Sequence, residues 1–385
     1  MAKVAVLTMQ RSPNYGAVLQ AYALQKAIVK LGAECEILDL LRPVHPGYKY
    51  TNRNTPLPPY SAKTENNDSL ALRERVKATL IRPIELLVKS LKNRYFRNFE
   101  RTHLRFSEQS FYSSDELYEA ELDYNYFVTG SDQVWNPTYP YSPEPYFLTF
   151  VAKGIPRIAY APSFGVSEID KAVQPLYKRW LNDINHLSVR ESQGAKIIFE
   201  LTGRDAQVVL DPTFLLSKKE WQEFAIEPNT KYPYIFCYSL GDVPGLMKIC
   251  HHAQQKTGFP IYKIGNTKDL WNRKVKAIVN AGPQEFVGYI MNAAMVITNS
   301  FHGTALSINM QRPFYTVPSP VIGVTSRNSR LESILGVFSL KNRLYRPEDE
   351  LPSSRDFDVE YDKIKTKLEL ERSNSLSYLK HAICN

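Results

Sequence analysis

The chain has 385 residues, 43% of them hydrophobic and 23% charged, a length for two ordinary domains, and no unbroken apolar run reaches transmembrane length. Cys35, Cys237, Cys250 and Cys384 form no CxxC pair, which speaks against a disulfide framework or a zinc site and fits a reducing cytoplasm, and no signal-peptide layout precedes the first strand. Of the net charge of +9, residues 70–105 carry +7, from ten Lys or Arg against three Glu, so the positive field is local and bears on partners.

Lys3–Thr8 is an apolar, β-prone run that predicts a first buried strand. A polar loop, Gln10–Gly16, leads to a helix over Ala17–Leu31 with Gly32 as its stop, and Cys35–Leu40 is the next strand. This βαβ opening predicts a parallel sheet. The loop has too little glycine for a dinucleotide fingerprint or a P-loop; Asn14 and Tyr15 there either face a ligand or shape the turn. Residues 42–68, rich in proline, asparagine and tyrosine, form a long excursion. The basic region that follows has Val76, Leu80, Ile84, Leu87 and Leu91 on one helical face, and Pro83 predicts a break into two helices. It is either a solvated insertion or a docking face for anionic lipid or a lipid-linked pyrophosphate; no nucleic-acid module accompanies the charge.

Four further strands are predicted, Tyr126–Thr129, Arg157–Ala161, His186–Val189 and Gln207–Leu210, with a helix over Ser192–Leu201. Each strand ends in polar or charged residues: Gly130-Ser131-Asp132-Gln133, Pro162-Ser163, Arg190-Glu191 and Asp211-Pro212-Thr213. That repeated layout points to a site along one rim of a parallel sheet. Asp132 is a candidate base or hydroxyl-binding group, Trp135 reads as core, and Asp211 reads first as the cap of its turn. A second α/β series has strands at Tyr234–Ser239, Pro260–Ile264, Met295–Thr298 and Phe314–Val317, and helices at Val243–Lys256, Pro283–Asn292, Ser326–Leu335 and Val359–His381. Cys250-His251-His252 are adjacent on a helix and point to different sides, so no metal is expected.

Met295–Thr304 is the stretch around which the rest is arranged. A buried strand breaks at Asn299-Ser300 and a helix opens at Gly303-Thr304, which offers free N–H groups to an anion beside His302. Together with Asn14-Tyr15-Gly16 and Gln20, Gly130–Asn136, Ser188–Glu191 and Leu210–Thr213, the stretch Ser300-Phe301-His302-Gly303 resembles the polysaccharide pyruvyltransferase family. The resemblance implies an α/β protein of two Rossmann-like domains facing a cleft (GT-B-like), with a basic helical insertion and a C-terminal helix. Residues 1–213 would form an acceptor-side domain with the insertion at about 42–110, residues 214–357 a donor-side domain, and 358–385 a helix packing back across both.

It also implies a cytoplasmic enzyme that moves pyruvate from phosphoenolpyruvate, its co-substrate, onto two hydroxyls of a sugar in a surface polysaccharide precursor. The acceptor would be lipid-linked, and no cofactor is implied. His302 and Asp132 would be catalytic; Arg190, Ser300, His302, Gly303, Arg327 and Arg330 would bind the donor; Asn14, Tyr15 and Gln133 would bind the acceptor. Some members carry Arg where this chain has Ser300, so Arg327 or Arg330 would make that anion contact. The rivals are a glycosyltransferase using a nucleotide sugar, disfavoured by the lack of a clear acid at a helix start in the second half, and a non-catalytic glycan-binding protein.

Overall fold

The computed structural model describes all residues except 44, 46, 59–71, 231–232, 266, 320–327, 354–356 and 385, with no side-chain account for 54 and 72–81. In chain order the elements are β1 (Lys3–Leu7), α1 (Tyr15–Lys30), β2 (Glu34–Leu40), α2 (Leu72–His103), β3 (Phe106–Phe111), α3 (Ser114–Glu119), β4 (Tyr126–Asp132), β5 (Arg157–Pro162), α4 (Gln174–Asn182), β6 (Ser188–Val189), α5 (Ser192–Thr202) and β7 (Gln207–Val208). The second half follows with α6 (Lys218–Phe224), β8 (Ile235–Tyr238), α7 (Leu246–Thr257), β9 (Ile261–Ile264), β10 (Lys276–Ala277), α8 (Pro283–Asn292), β11 (Met295–Thr298), α9 (Phe301–Asn309), β12 (Phe314–Thr316), α10 (Ser329–Val337) and α11 (Tyr361–Cys384).

Each half is one parallel five-stranded sheet, in order β3-β2-β1-β4-β5 and β10-β9-β8-β11-β12. The same order recurs strand for strand, giving two Rossmann-like domains. Central strands are apolar because helices cover both faces: β8 and β11 are buried at every residue. In each sheet the order reverses between the first strand and the fourth, so each has a switch point at β1/β4 and β8/β11, where α/β sheets open a crevice at their carboxyl ends. The short pair β6-β7 joins β5 through a bridge between Ile158 and His186.

The halves share an apolar core. Tyr15 stacks on Phe286 with centroids 4.4 Å apart and meets Phe96 and Tyr238. α11 spans both: Tyr378 OH donates to Ala159 O, Ser375 Oγ accepts from Leu210 N, and Arg372 Nη2 donates to Asn309 Oδ1.

The structure departs from the sequence reading at α2 and β3, and adds the helices α3, α4 and α6 that the reading did not name. α2 is a single helix through Pro83. Proline removes one helical N–H without ending the helix, since Arg82 to Leu87 are exposed and the ring meets no packed neighbour there. The expected apolar face is not what this helix buries: Ile84 and Leu87 are exposed, while Phe96, Phe99 and Glu100 point inward. Val76 and Leu80 lie outside the described side chains. Residues 106–111, not recognised as a strand, form the edge strand β3, because Phe106 and Phe111 carry its pairing to β2 within a polar run.

Candidate active site

The two switch points face each other across a cavity of about 180 Å3. From the first sheet it is lined by Asn14, after β1, and by Asp132, Gln133 and Tyr139, after β4. From the second come Leu240, after β8, and Asn299, Ser300, Phe301 and His302, after β11; Ser319, Asn328, Arg330 and Leu331 close it.

Local rules build the second wall. Ser300 is the N-cap of α9: its Oγ accepts from Gly303 N (3.3 Å) and its carbonyl from Thr304 Oγ1. Among the described residues the first-turn N–H groups of Phe301 and His302 have no backbone acceptor, and the positive end of the helix dipole faces the cavity. Asn299 holds the β8 loop in place, accepting from Leu240 N (2.8 Å) and donating to its carbonyl. Ser319 and Asn328 exchange two hydrogen bonds that set the start of α10.

Below the cavity lies a charged network. Asp211, with no exposed surface, accepts from Arg190 Nη1 (2.9 Å), Ser131 Oγ (2.9 Å), and the N–H and Oγ1 of Thr213 (3.0 and 2.8 Å). His302 Nε2 is 3.5 Å from the same carboxylate, too long for a good hydrogen bond, and has no hydrogen-bond partner among the described residues. Arg190 Nη2 lies 3.6 Å from Asp132 Oδ1, and Arg330 Nη1 lies 3.9 Å from it. Both guanidinium groups sit against the Phe301 ring. With its amide oxygen facing Arg330, Gln133 accepts from Nη2 at 2.5 Å and Nη1 at 3.1 Å.

Proton affinities follow. Burial alone would raise the carboxyl of Asp211, but His302, Arg190 and the Thr213 N–H outweigh it and hold the group well below the usual carboxylate range. Asp132 is lowered in the same way, with His302, Arg190 and Arg330 overcoming burial. Burial and the charge of Arg190 pull the Arg330 guanidinium down to about 10. Glu191 goes the other way: burial outweighs Arg190 and the hydrogen bond from Ser163.

Two backbone features set the geometry of this place. Asp132 sits at φ +68°, in the left-handed region that aspartate tolerates and most residues avoid. A β-carbon on Gly16 would stand 2.0 Å from His302 Nδ1, so α1 can approach the imidazole this closely only with glycine there.

The cavity wall thus gathers Asn14, Asp132, Gln133, Ser300, His302 and Arg330, all expected from sequence. Other expected residues stand elsewhere. Tyr15 is turned away: its ring fills the space between the sheets and its OH donates to Ala281 O (2.8 Å). Arg190, with 1% of its side chain exposed, is sealed beneath the wall by Asp211 and does not line the cavity. The N–H of Gly303 is taken by the Ser300 cap, and its lack of a side chain serves close packing on Thr298. Arg327 lies outside the described residues. Trp135 is core, stacked on Phe147, with Nε1 donating to Tyr146 O. Asp211 does cap its turn, and it also anchors Arg190, which its place before a proline did not reveal. Tyr139, in a loop of proline and tyrosine, had no sequence signal, and Asn299 read only as a strand breaker. Among the described residues there is no group of three or more His, Cys, Asp or Glu able to hold a metal ion.

Fold and site together define a two-domain α/β protein whose facing switch points enclose a small, polar, histidine-containing cleft with Arg330 and Asp132 in its wall. A family described as "Polysaccharide pyruvyl transferase" matches residues 14–319. The chain belongs to that family. No curated protein matches the sequence. Among solved structures it is similar to MurG of Acinetobacter baumannii (9% identity, 100% of this chain and 99% of that one, TM-score 0.45). It is also similar to the UDP-GlcNAc 2-epimerase of Neisseria meningitidis bound to UDP-GlcNAc (10%, 98% and 100%, 0.45) and to the E. coli heptosyltransferase WaaC with ADP (13%, 96% and 99%, 0.40).

Proposed function

We propose that the protein transfers the pyruvyl group of phosphoenolpyruvate onto two hydroxyls of a sugar in a surface polysaccharide precursor, closing a cyclic ketal and releasing phosphate. The observation that carries this reading is a cavity of about 180 Å3 with Arg330, His302 and the α9 N-terminus on one wall and Asp132 on another.

Phosphoenolpyruvate brings a carboxylate and a phosphate. Arg330 meets one of them with its planar fork, in the role that a family arginine at position 300 would have, and the open N–H groups of α9 with Ser300 meet the other. His302 delivers a proton to the methylene carbon, which becomes methyl and leaves C2 electrophilic. One sugar hydroxyl adds to C2 as its proton is taken by a base. The C2–O bond to phosphate then breaks, the phosphate leaves with the electron pair, and the second hydroxyl closes the ketal. Of the two hydroxyl protons, one replaces that given to carbon and the other leaves on phosphate.

Asp132 is the acceptor-side base. A carboxylate held low by two guanidinium groups is a weak base. The negative charges of the bound donor offset those cations and raise its proton affinity when the acceptor is in place. Asn14 and Gln133 flank it and orient the sugar. The four free cysteines fit a cytoplasmic site of action.

The glycosyltransferase reading is weaker here. Acids do stand in α-helix first turns of the second half, Glu220, Glu285, Glu332 and Asp362 among the described residues, but Glu220 is spent on Ser217 N, Glu285 on Gly282 N and Glu332 faces Arg346, and none of the four lines the cavity. Phosphate release from phosphoenolpyruvate that depends on a sugar acceptor tests the proposal; hexose transfer from a nucleotide sugar without it would replace it.

A further inference from the structure

A second cavity, of about 950 Å3, lies where the last turns of α2 pass the β1–α1 loop and the start of β3. Four guanidinium groups line it, those of Arg11, Arg94, Arg97 and Arg101. Between them the wall is apolar: Leu104 is buried, and Leu91, Tyr95 and Phe106 are half-buried. Leu91, Arg94, Asn98 and Arg101 follow one another at three- and four-residue steps, so they share one side of α2, while Phe96, Phe99 and Glu100 turn the other side into the core.

The fold does not account for all of this charge. Lys92 serves the core, lying over the rings of Tyr15 and Phe96, and Arg105 pairs with Glu36. Arg11 is held in place by Asp39, which accepts from its Nε and Nη2 (2.8 and 2.6 Å), and its guanidinium lies 4.5 Å from the centroid of Phe106. Among the described residues no carboxylate lies within 4 Å of Arg94, Arg97 or Arg101. Like charges three and four residues apart repel along a helix. The helix dipole compensates Arg101, in the last turn, but not Arg94, well before it.

We propose that this groove is a binding site for an organic diphosphate. Arg94 to Arg101 is a rise of about 10 Å along the helix, long enough for two linked phosphates to be held at once, and planar guanidinium forks suit phosphate oxygens. The apolar wall beside them takes the carbon group on the diphosphate, a nucleoside or a polyprenyl chain. A bilayer fits the shape less well, because the apolar side chains are recessed between exposed cations and do not project past them. Arg11 belongs to the loop that also gives Asn14 to the cleft wall, and the two Cα atoms are no more than about 11 Å apart, so a diphosphate held here lies on the Asn14 side of the cleft.

Binding is read by calorimetry without turnover, so the test stands apart from the pyruvyl-transfer reading. Uridine diphosphate and farnesyl diphosphate are titrated into the full chain, with inorganic phosphate as the control. At least one of the two should bind about tenfold more tightly than phosphate, with an affinity that falls as salt rises. The tighter of the two distinguishes a nucleotide source from a polyprenyl one. Arg94→Gln combined with Arg97→Gln should weaken that binding by about tenfold, with the unfolding temperature unchanged or slightly raised as repulsion is relieved. Arg330→Lys, in the cleft, should leave it intact. Equal affinity for the parent and the double variant, loss of binding in Arg330→Lys, or diphosphates bound no more tightly than phosphate would overturn the proposal.

Discussion

Asp211→Asn removes one charge and one acceptor. With its oxygen at the Oδ1 position an asparagine still accepts from the Thr213 N–H, so the turn keeps its cap, while its NH2 replaces the oxygen that accepts from Ser131 Oγ and Arg190 Nη1. Arg190, almost wholly buried, then retains only Asp132 at 3.6 Å and Glu191 at 3.8 Å. At an effective dielectric near 20, a pair at about 4 Å attracts by roughly 4 kcal/mol, and stripping one partner from a buried ion pair costs about 3–5 kcal/mol. The two remaining carboxylates put this case at the lower end, about 3 kcal/mol, to be read from urea unfolding at neutral pH with unchanged slope. The difference should depend on pH. The carboxyl of Asp211 is lowered in the folded state, so its stabilisation is complete above the ordinary aspartate range and is lost as pH falls through the folded value. Parent and variant should therefore converge in acid. Loss of the anchor also frees Arg190 and His302 to shift, and a displacement of about 1 Å at a reacting group costs about a hundredfold in turnover. A variant within about 0.5 kcal/mol of the parent, with full activity, would refute Asp211 as the anchor.

Other changes separate chemistry from packing. Gly16→Ala forces a β-carbon into the His302 ring and should cut turnover by about a hundredfold while costing about 1–3 kcal/mol in stability; unchanged turnover would show that the contact does not position the imidazole. Arg330→Lys keeps the charge but loses the fork, so the KM for phosphoenolpyruvate should rise by about tenfold with kcat little altered. A KM left unchanged in the variant would remove Arg330 from donor binding. Tyr15→Phe strips the partner from Ala281 O and should cost about 1–2 kcal/mol without moving the acceptor KM, and a higher acceptor KM would return Tyr15 to the site.

Much of this architecture is legible in the residue pattern. Continuous apolar runs such as Met295–Thr298 announce buried parallel strands, and polar residues where those runs stop mark the rim, which is why Asp132, Ser300 and His302 could be placed on the cavity wall from sequence. Depth was not legible. Strand–loop position cannot tell a residue that lines the cleft from one a layer below, so Arg190 read as a ligand clamp and Tyr15 as an acceptor contact. Proline in α2 read as a break because a local rule was applied where exposure relaxes it. β3 escaped because its alternation is mostly polar, and Tyr139 because an irregular loop carries no period.

The central claim is best tested by incubating the protein with phosphoenolpyruvate and a set of lipid-linked or nucleotide-linked sugars, following phosphate release together with product mass. Release that requires the acceptor, a product heavier by one pyruvate ketal, and loss of both in a folded His302→Ala variant is the predicted outcome. Phosphate release indifferent to His302, or turnover only when a nucleotide sugar is supplied with a hexose-sized gain in mass, would contradict it.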